Sequence, residues 1–150
     1  MATNILFVDD EFAPDTATEF GSYMSYYELA LIEGGYSVTR ANDVDAALKL
    51  VNEQRFDLAI LDLMMPAGQA FKDQDTMQGT RTGMLLAEQL RRFFKKMPIL
   101  ILCNSHSAAE RYSSTVEQGI VNKILFKPDV TPLDLVEEVR FITSRINANA

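Results

Sequence analysis

One stretch limits what this chain can fold into more than any other: Phe56-Asp57-Leu58-Ala59-Ile60-Leu61-Asp62-Leu63-Met64-Met65-Pro66. Leu58 to Leu61 is an unbroken apolar run, too short for a helix and suited to a strand buried on both faces. It stops at Asp62, whose carboxylate a core does not accept unpaired. Pro66 disfavours a helical conformation at Met65, so the chain leaves the strand through a loop. Two further runs end the same way. Asn4-Ile5-Leu6-Phe7-Val8 meets Asp9-Asp10-Glu11, and Ile124-Leu125-Phe126 meets Lys127-Pro128. One charged residue can simply mark a strand end. Three such ends place acids and an ammonium at one edge of a sheet, where open α/β folds hold their ligands.

The intervening pattern supplies the rest of the sheet. Asn4 to Val8, Tyr36 to Arg40, Asp57 to Leu61, Ile99 to Leu102 and Lys123 to Phe126 read as five strands. Helical spacing falls between them: Tyr23 to Glu33, with Tyr23, Tyr27, Ala30 and Leu31 apolar and Gly34-Gly35 as a stop. A second helix, capped by Asn42 or Asp43, carries Val44, Ala47, Leu48 and Val51. Thr82 to Lys96 forms a third, with Leu85, Leu86, Gln89, Leu90 and Phe93 on one face. Ser107-Ala108-Ala109-Glu110 has capping-box spacing and starts a fourth that ends at Gly119. Thr131-Pro132 opens the last helix, which carries Leu135, Val136, Val139, Ile142 and Ile146. Strands alternating with helices predict an α/β fold: a doubly wound, five-stranded parallel sheet in a three-layer α/β/α arrangement. The expectation is a single domain over residues 1–150, with extended loops at about 11–22 and 67–80 that exceed the usual connection length. Phe12, Phe20 and Phe71 lie isolated in or beside these loops. Either they tuck onto the body of the domain, or the loops form a lid over the site.

Composition narrows the partners. A formal net charge of -7 with no basic stripe argues against direct nucleic-acid binding. Arg91, Arg92, Lys95 and Lys96 cluster at an expected helix end, where cations complement the dipole, and read as a solvated terminus. The single cysteine, Cys103, cannot form an internal disulfide, and no apolar stretch is long enough to span a membrane. The first strand begins at once, leaving no room for a signal peptide, so a cytoplasmic protein is expected.

Asp9, Asp10 and Asp62 gathered together repel one another and raise each other's proton affinity. A hard divalent cation resolves that conflict, and Mg²⁺ suits a site with few carboxylates and open positions for phosphate oxygens. Lys127 adds a point charge for phosphoryl oxygen. A carboxylate nucleophile, a metal and an ammonium are the parts needed to form an acyl phosphate on an aspartate. Either Asp62 or Asp10 can be that nucleophile on these grounds; Asp62 is favoured because it stands alone on the middle strand.

These residues resemble the receiver domain of bacterial two-component response regulators. The acid pair Asp9-Asp10, the run Asp62-Leu63-Met64-Met65-Pro66 and the pair Lys127-Pro128 follow that family's order and strand context, and Gly83 resembles its glycine before the third helix. The resemblance implies a flavodoxin-like sheet in the order 2-1-3-4-5. It implies that Asp62 accepts phosphate from a histidine kinase or a phosphotransfer protein. It also implies that Asp10, Asp62 and the Met64 backbone carbonyl hold Mg²⁺, that Asp9 acts through water, and that Lys127 neutralises the phosphoryl group. A downstream protein would dock on the face of the fourth helix, fifth strand and last helix.

The sequence departs from the family where the phosphoryl group is read out. Cys103 stands where Ser or Thr is usual, Asn104 where a small residue is usual, and Ile124 where an aromatic switch residue is usual. Cys103 itself reads as a buried core thiol, and His106, the only histidine, as solvent-facing. Two functions remain open: a phosphorylation-controlled binding switch, or a receiver-like interaction module independent of phosphorylation. A phosphatase of the haloacid dehalogenase type fits poorly, because Met64 occupies the position where such an enzyme needs a second acid. The expectation is a regulatory phosphoacceptor with at most slow self-dephosphorylation, hindered by Met64 and Asn104.

Overall fold

The computed structural model describes residues 3–12 and 24–148. Strands β1 (Asn4–Val8), β2 (Ser37–Ala41), β3 (Leu58–Asp62), β4 (Ile99–Cys103) and β5 (Lys123–Phe126) form one sheet in the order β2-β1-β3-β4-β5. Every pairing is parallel. Helices α1 (Met24–Glu33), α2 (Val44–Glu53), α3 (Thr82–Phe93), α4 (His106–Arg111), α5 (Ser114–Glu117) and α6 (Pro132–Ala148) occupy the connections and the C-terminal end. This is the flavodoxin-like, doubly wound arrangement.

Strand side chains alternate between faces, and both faces are covered, which is why the strands read as continuous apolar runs. Leu6, Val8, Ala59, Leu61, Ile99 and Ile101 pack with Ala47 of α2 and with Leu86 and Leu90 of α3. On the opposite face Ile5, Phe7, Ile60 and Leu100 pack with Tyr27 and Leu31 of α1 and with Leu135 and Val139 of α6. Two caps form as their residue types require. Asp43 accepts from the Ala46 N–H at 2.7 Å. Thr131 and Asp134 close a reciprocal box at the start of α6.

Strands β2 and β3 each start one residue later than their patterns suggest, and Tyr23 lies outside the described residues. Three helical expectations need correction. α3 stops at Phe93 instead of Lys96, and Phe93 is 71% exposed instead of packed. The cause is Arg91, which is not a solvated terminal cation. Its guanidinium donates to the Ile120, Phe94 and Lys95 carbonyls at 2.9–3.0 Å and captures the chain as it turns into β4. The fourth helix is capped by Ser105, which accepts from the Ala108 N–H, and not by Ser107. It also breaks at Tyr112 and Ser113. There Ser113 Oγ donates to the Glu110 carbonyl and Thr115 Oγ1 to the Tyr112 carbonyl, so hydroxyls compete with the helical ladder. Ile146 is 42% exposed because α6, with 17 residues, runs about 25 Å while a five-residue strand spans only about 17 Å.

Gly83 fixes α3 against the end of β3. A Cβ there would sit 2.1 Å from the Asp62 carbonyl oxygen and 2.6 Å from Leu63 Cα, both backbone atoms that cannot swing aside. Gly83→Ala is expected to destabilise the fold by about 3 kcal/mol in chemical denaturation, a cost set by overpacking against fixed backbone.

Candidate functional site

Parallel register delivers the charged residues to one place. Val8 lies opposite Leu61, so the next residues, Asp9 and Asp62, leave neighbouring strands side by side. Asp9, Asp10 and Asp62 each offer an oxygen within 4.8 Å of the others. Lys127, just past β5, puts its Nζ 3.1 Å from Asp9 Oδ2 and 3.6 Å from Asp62 Oδ1. All three members of that triad are buried, Asp9 completely and Asp62 and Lys127 at 6% exposure. Asp10 is the most open of the acids.

Local structure holds each group. The Asp9 N–H donates to the Ala41 carbonyl at 3.0 Å, and its carboxylate accepts from the Glu11 N–H at 2.9 Å. Lys127 opens a short helical turn with Pro128, and Tyr27 of α1 secures that turn by donating its hydroxyl to the Val130 carbonyl at 2.5 Å. Asp62 accepts from the Met64 N–H. The residue between them is tied twice, Leu63 N–H to the Leu102 carbonyl and Leu63 carbonyl to the Gly83 N–H.

Burial, and then the negative charge of Asp9, raise the Asp62 carboxyl from its ordinary 3.8 to about 7, against the pull of Lys127. Burial likewise raises Asp9, again opposed by Lys127. Burial by itself would lower Lys127, but the Asp62 and Asp9 carboxylates outweigh it and hold the ammonium above its usual range. The donor set is all oxygen, crowded and short of positive charge. It fits a hard divalent cation.

Cys103 is fully buried at the end of β4, its thiol raised by burial and donating to the Ser105 carbonyl at 3.3 Å. Asn104 is exposed beside it. His106 is exposed and lies against Phe126, ring centroids 3.8 Å apart. Met64 is 43% exposed at the mouth of the site. The long loop after β3 is partly anchored: Phe71 is buried at 2% exposure, tucked onto the body. Asp45 of α2 accepts from the Gln69 and Ala70 N–H groups at 2.8 and 2.9 Å. The other expected loop falls mostly at residues 13–22, outside the described residues, as do Phe20 and the side chain of Phe12. Sequence reasoning missed Tyr27 and Asp45 as supports, and neither carries a local signal for that role.

Comparison with known proteins places this geometry. The family model described as the response regulator receiver domain matches residues 19–140. The chain belongs to the response regulator receiver domain family. It is similar to the receiver domain protein (CheY-like) of Methanospirillum hungatei, with 22% identity, 100% of both chains covered and a TM-score of 0.73. It is also similar to the chemotaxis protein CheY4 of Vibrio cholerae, with 22% identity, 93% and 98% covered and a TM-score of 0.69. The receiver domain of the Francisella response regulator 1452 aligns at 24% identity, 96% and 98% covered and a TM-score of 0.69. These likenesses show the fold. Among curated proteins no sequence matches the chain. Membership assigns the chain to two-component signalling as a regulatory domain, not an enzyme in the ordinary sense. Among the described residues no helix is long and apolar enough to cross a membrane.

The raised Asp62 carboxyl links site and stability. Between about pH 4 and 7 the native state keeps this proton and the unfolded chain does not, so stability falls as pH rises through that window. Removing the charge should reverse the loss. At pH 8 without divalent cations, Asp62→Asn is expected to stabilise the fold by roughly 2 kcal/mol, about half the full linkage value because Asp9 shares the same repulsion. The gain should shrink toward pH 5, read by thermal melting at the two pH values.

Proposed function

We propose that this domain is a phosphorylation-dependent switch in which Asp62 is the phosphoacceptor. The observation that supports it most is the Lys127 ammonium set between two buried carboxylates at the ends of β1 and β3. Asp10, Asp62 and the Met64 carbonyl would hold Mg²⁺, with Asp9 acting through water; the bound ion supplies charge neutralisation for phosphoryl oxygens. An ionised Asp62 oxygen attacks the phosphorus of a phosphohistidine on a histidine kinase or phosphotransfer protein. The P–N bond breaks, the imidazole leaves and takes up a proton, and an aspartyl phosphate forms. Lys127 then faces the new dianion and takes over part of its charge. Residue 64 offers no acid or base to direct water at the phosphorus, so self-dephosphorylation is slow. The partner that reads the state docks on the face of α4, β5 and α6.

A second reading rests on Cys103. Its thiol is already satisfied by the Ser105 carbonyl, and Ile124 has no polar end to exchange between environments. On that reading the domain binds its partner whatever the state of Asp62. Partner affinity unchanged by Asp62→Asn would favour it.

Incubation with acetyl phosphate and Mg²⁺ should give an adduct of one phosphoryl group in intact-mass analysis. It should be absent in Asp62→Asn and after chelation, and labile to hydroxylamine. An unmodified wild-type mass would overturn the proposal. Lys127→Met is expected to slow adduct formation by about a hundredfold, the scale at which removing one charge-stabilising group acts.

A further inference from the structure

The loop that follows β3 is much longer than a strand–helix connection needs, and its return limb comes back onto the site. The Met65 N–H donates to the Gly79 carbonyl at 3.1 Å. Met65 N–H and Met64 C=O belong to one planar peptide unit and point in opposite directions. A partner that fixes the N–H therefore fixes the carbonyl. Gly79 reaches this position through an unusual backbone: Met77, Gln78 and Gly79 have φ values of 51°, 59° and 87°, three consecutive left-handed residues. Two of them are not glycine, a conformation that non-glycine residues adopt at a cost. It is held by Asp75, whose carboxylate accepts from the Met77 N–H at 2.9 Å, and by Thr76 Oγ1, which accepts from the Gly79 N–H at 3.2 Å. Space is as tight as the dihedrals. A Cβ at Gly79 would lie 2.9 Å from the Met65 carbonyl oxygen. Asp10, Met64, Thr76, Gln78 and Gly79 line one cleft of about 540 Å³, so the tie sits beside the acids.

The geometry points to Gly79 as a positioning residue for the Met64 carbonyl, with the left-handed turn from Met77 to Gly79 serving to orient that oxygen toward a divalent cation. The inference rests on the reading above that the Met64 carbonyl is a metal ligand. It assigns to the long loop after β3 a role in metal affinity. Residues behind a metal ligand commonly shift affinity by tenfold or more when changed, because they set the ligand's direction.

Gly35 provides a matched control. Its φ is 97°, nothing lies within 4 Å of its missing Cβ, and it precedes β2 at the opposite edge of the sheet. Gly35→Ala thus imposes the same left-handed penalty without touching the site. Isothermal titration with MgCl₂ would be run on wild type, Gly79→Ala and Gly35→Ala at a temperature where melting curves show each folded. The expected result is an Mg²⁺ dissociation constant raised about tenfold in Gly79→Ala and unchanged in Gly35→Ala. If Gly79→Ala does not fold, Gly79→Asn takes its place, since asparagine tolerates left-handed φ while carrying the same Cβ. Equal affinity in wild type and the Gly79 variant would overturn the inference and leave the metal site standing. Equal weakening in both glycine variants would also overturn it, reducing the effect to strain. A wild type that does not bind Mg²⁺ would remove the metal reading itself.

Discussion

One ammonium facing two buried carboxylates is the constraint on which the rest of this molecule depends. Withdrawing Asp9, Asp62 and Lys127 from water carries a penalty of several kcal/mol per ion, which attraction offsets only where geometry and hydrogen bonds are good. Here the offset is incomplete. Asp9 has Lys127 at 3.1 Å and a backbone N–H, whereas Asp62 has the same lysine at 3.6 Å and the Met64 N–H. With Asp10 close by, three carboxylates face one cation. A structure selected for stability alone would fill these positions with apolar side chains, as it does one residue earlier on each strand. The uncompensated charge is a binding potential held in reserve, and the raised proton affinity of Asp62 is its local symptom.

The fold makes such an arrangement sustainable by spreading its supports. Parallel strands β1, β3 and β5 each contribute one member of the triad at the same edge, Asp62 as the last residue of β3 and Asp9 and Lys127 just past β1 and β5. Repulsion between the acids therefore acts across strands that the core already holds in register. The helices supply the second line of support. Tyr27 of α1 secures the turn behind Lys127, and Gly83 of α3 lets its backbone close on Asp62 and Leu63. Both hold the backbone from which the charged groups project, which is how a crowded site keeps its spacing when its own electrostatics push it apart.

How far the chain could be read in advance follows from the range of the interactions involved. Strands ending on Asp9, Asp62 and Lys127 announced both sheet and site, because burial of an apolar run and exclusion of a charge are properties of a residue and its neighbours. The caps at Asp43 and Thr131 were legible for the same reason. Where distant groups decided the outcome, the pattern misled. Phe93 fits the apolar spacing of α3 yet is exposed, because Arg91 draws the carbonyls after it toward the Ile120 turn, 29 residues away. The helix after β4 carries a plausible box at Ser107, but Ser105 caps it, one turn geometry having outcompeted another. The loop after β3 reads only as long and polar. Its ties, Asp45 to Gln69 and Gly79 to Met65, join residues with no shared periodicity.

Under the proposed function, capture and readout separate in this domain, and the separation has a physical basis. Cys103 ends β4 beside the acids, but its thiol bonds to Ser105 in its own loop, and Ser105 in turn caps α4. A thiol is a weak donor, so a phosphoryl group on Asp62 would gain little by drawing it away. Under the proposed function, movement of the loop after β4 must be driven by something stronger than that bond. Asn104, exposed at the next position, carries an amide that donates better than a thiol. Beyond it, His106 lies against Phe126, a residue adjacent in sequence to Lys127. A displacement of Lys127 toward a phosphoryl oxygen would pull on the strand end that carries Phe126, and the ring contact would pass that pull to the first turn of α4. Under the proposed function, the route from the site to the proposed docking face would run through the lysine's own backbone, and an aromatic at position 124 would not be needed for it.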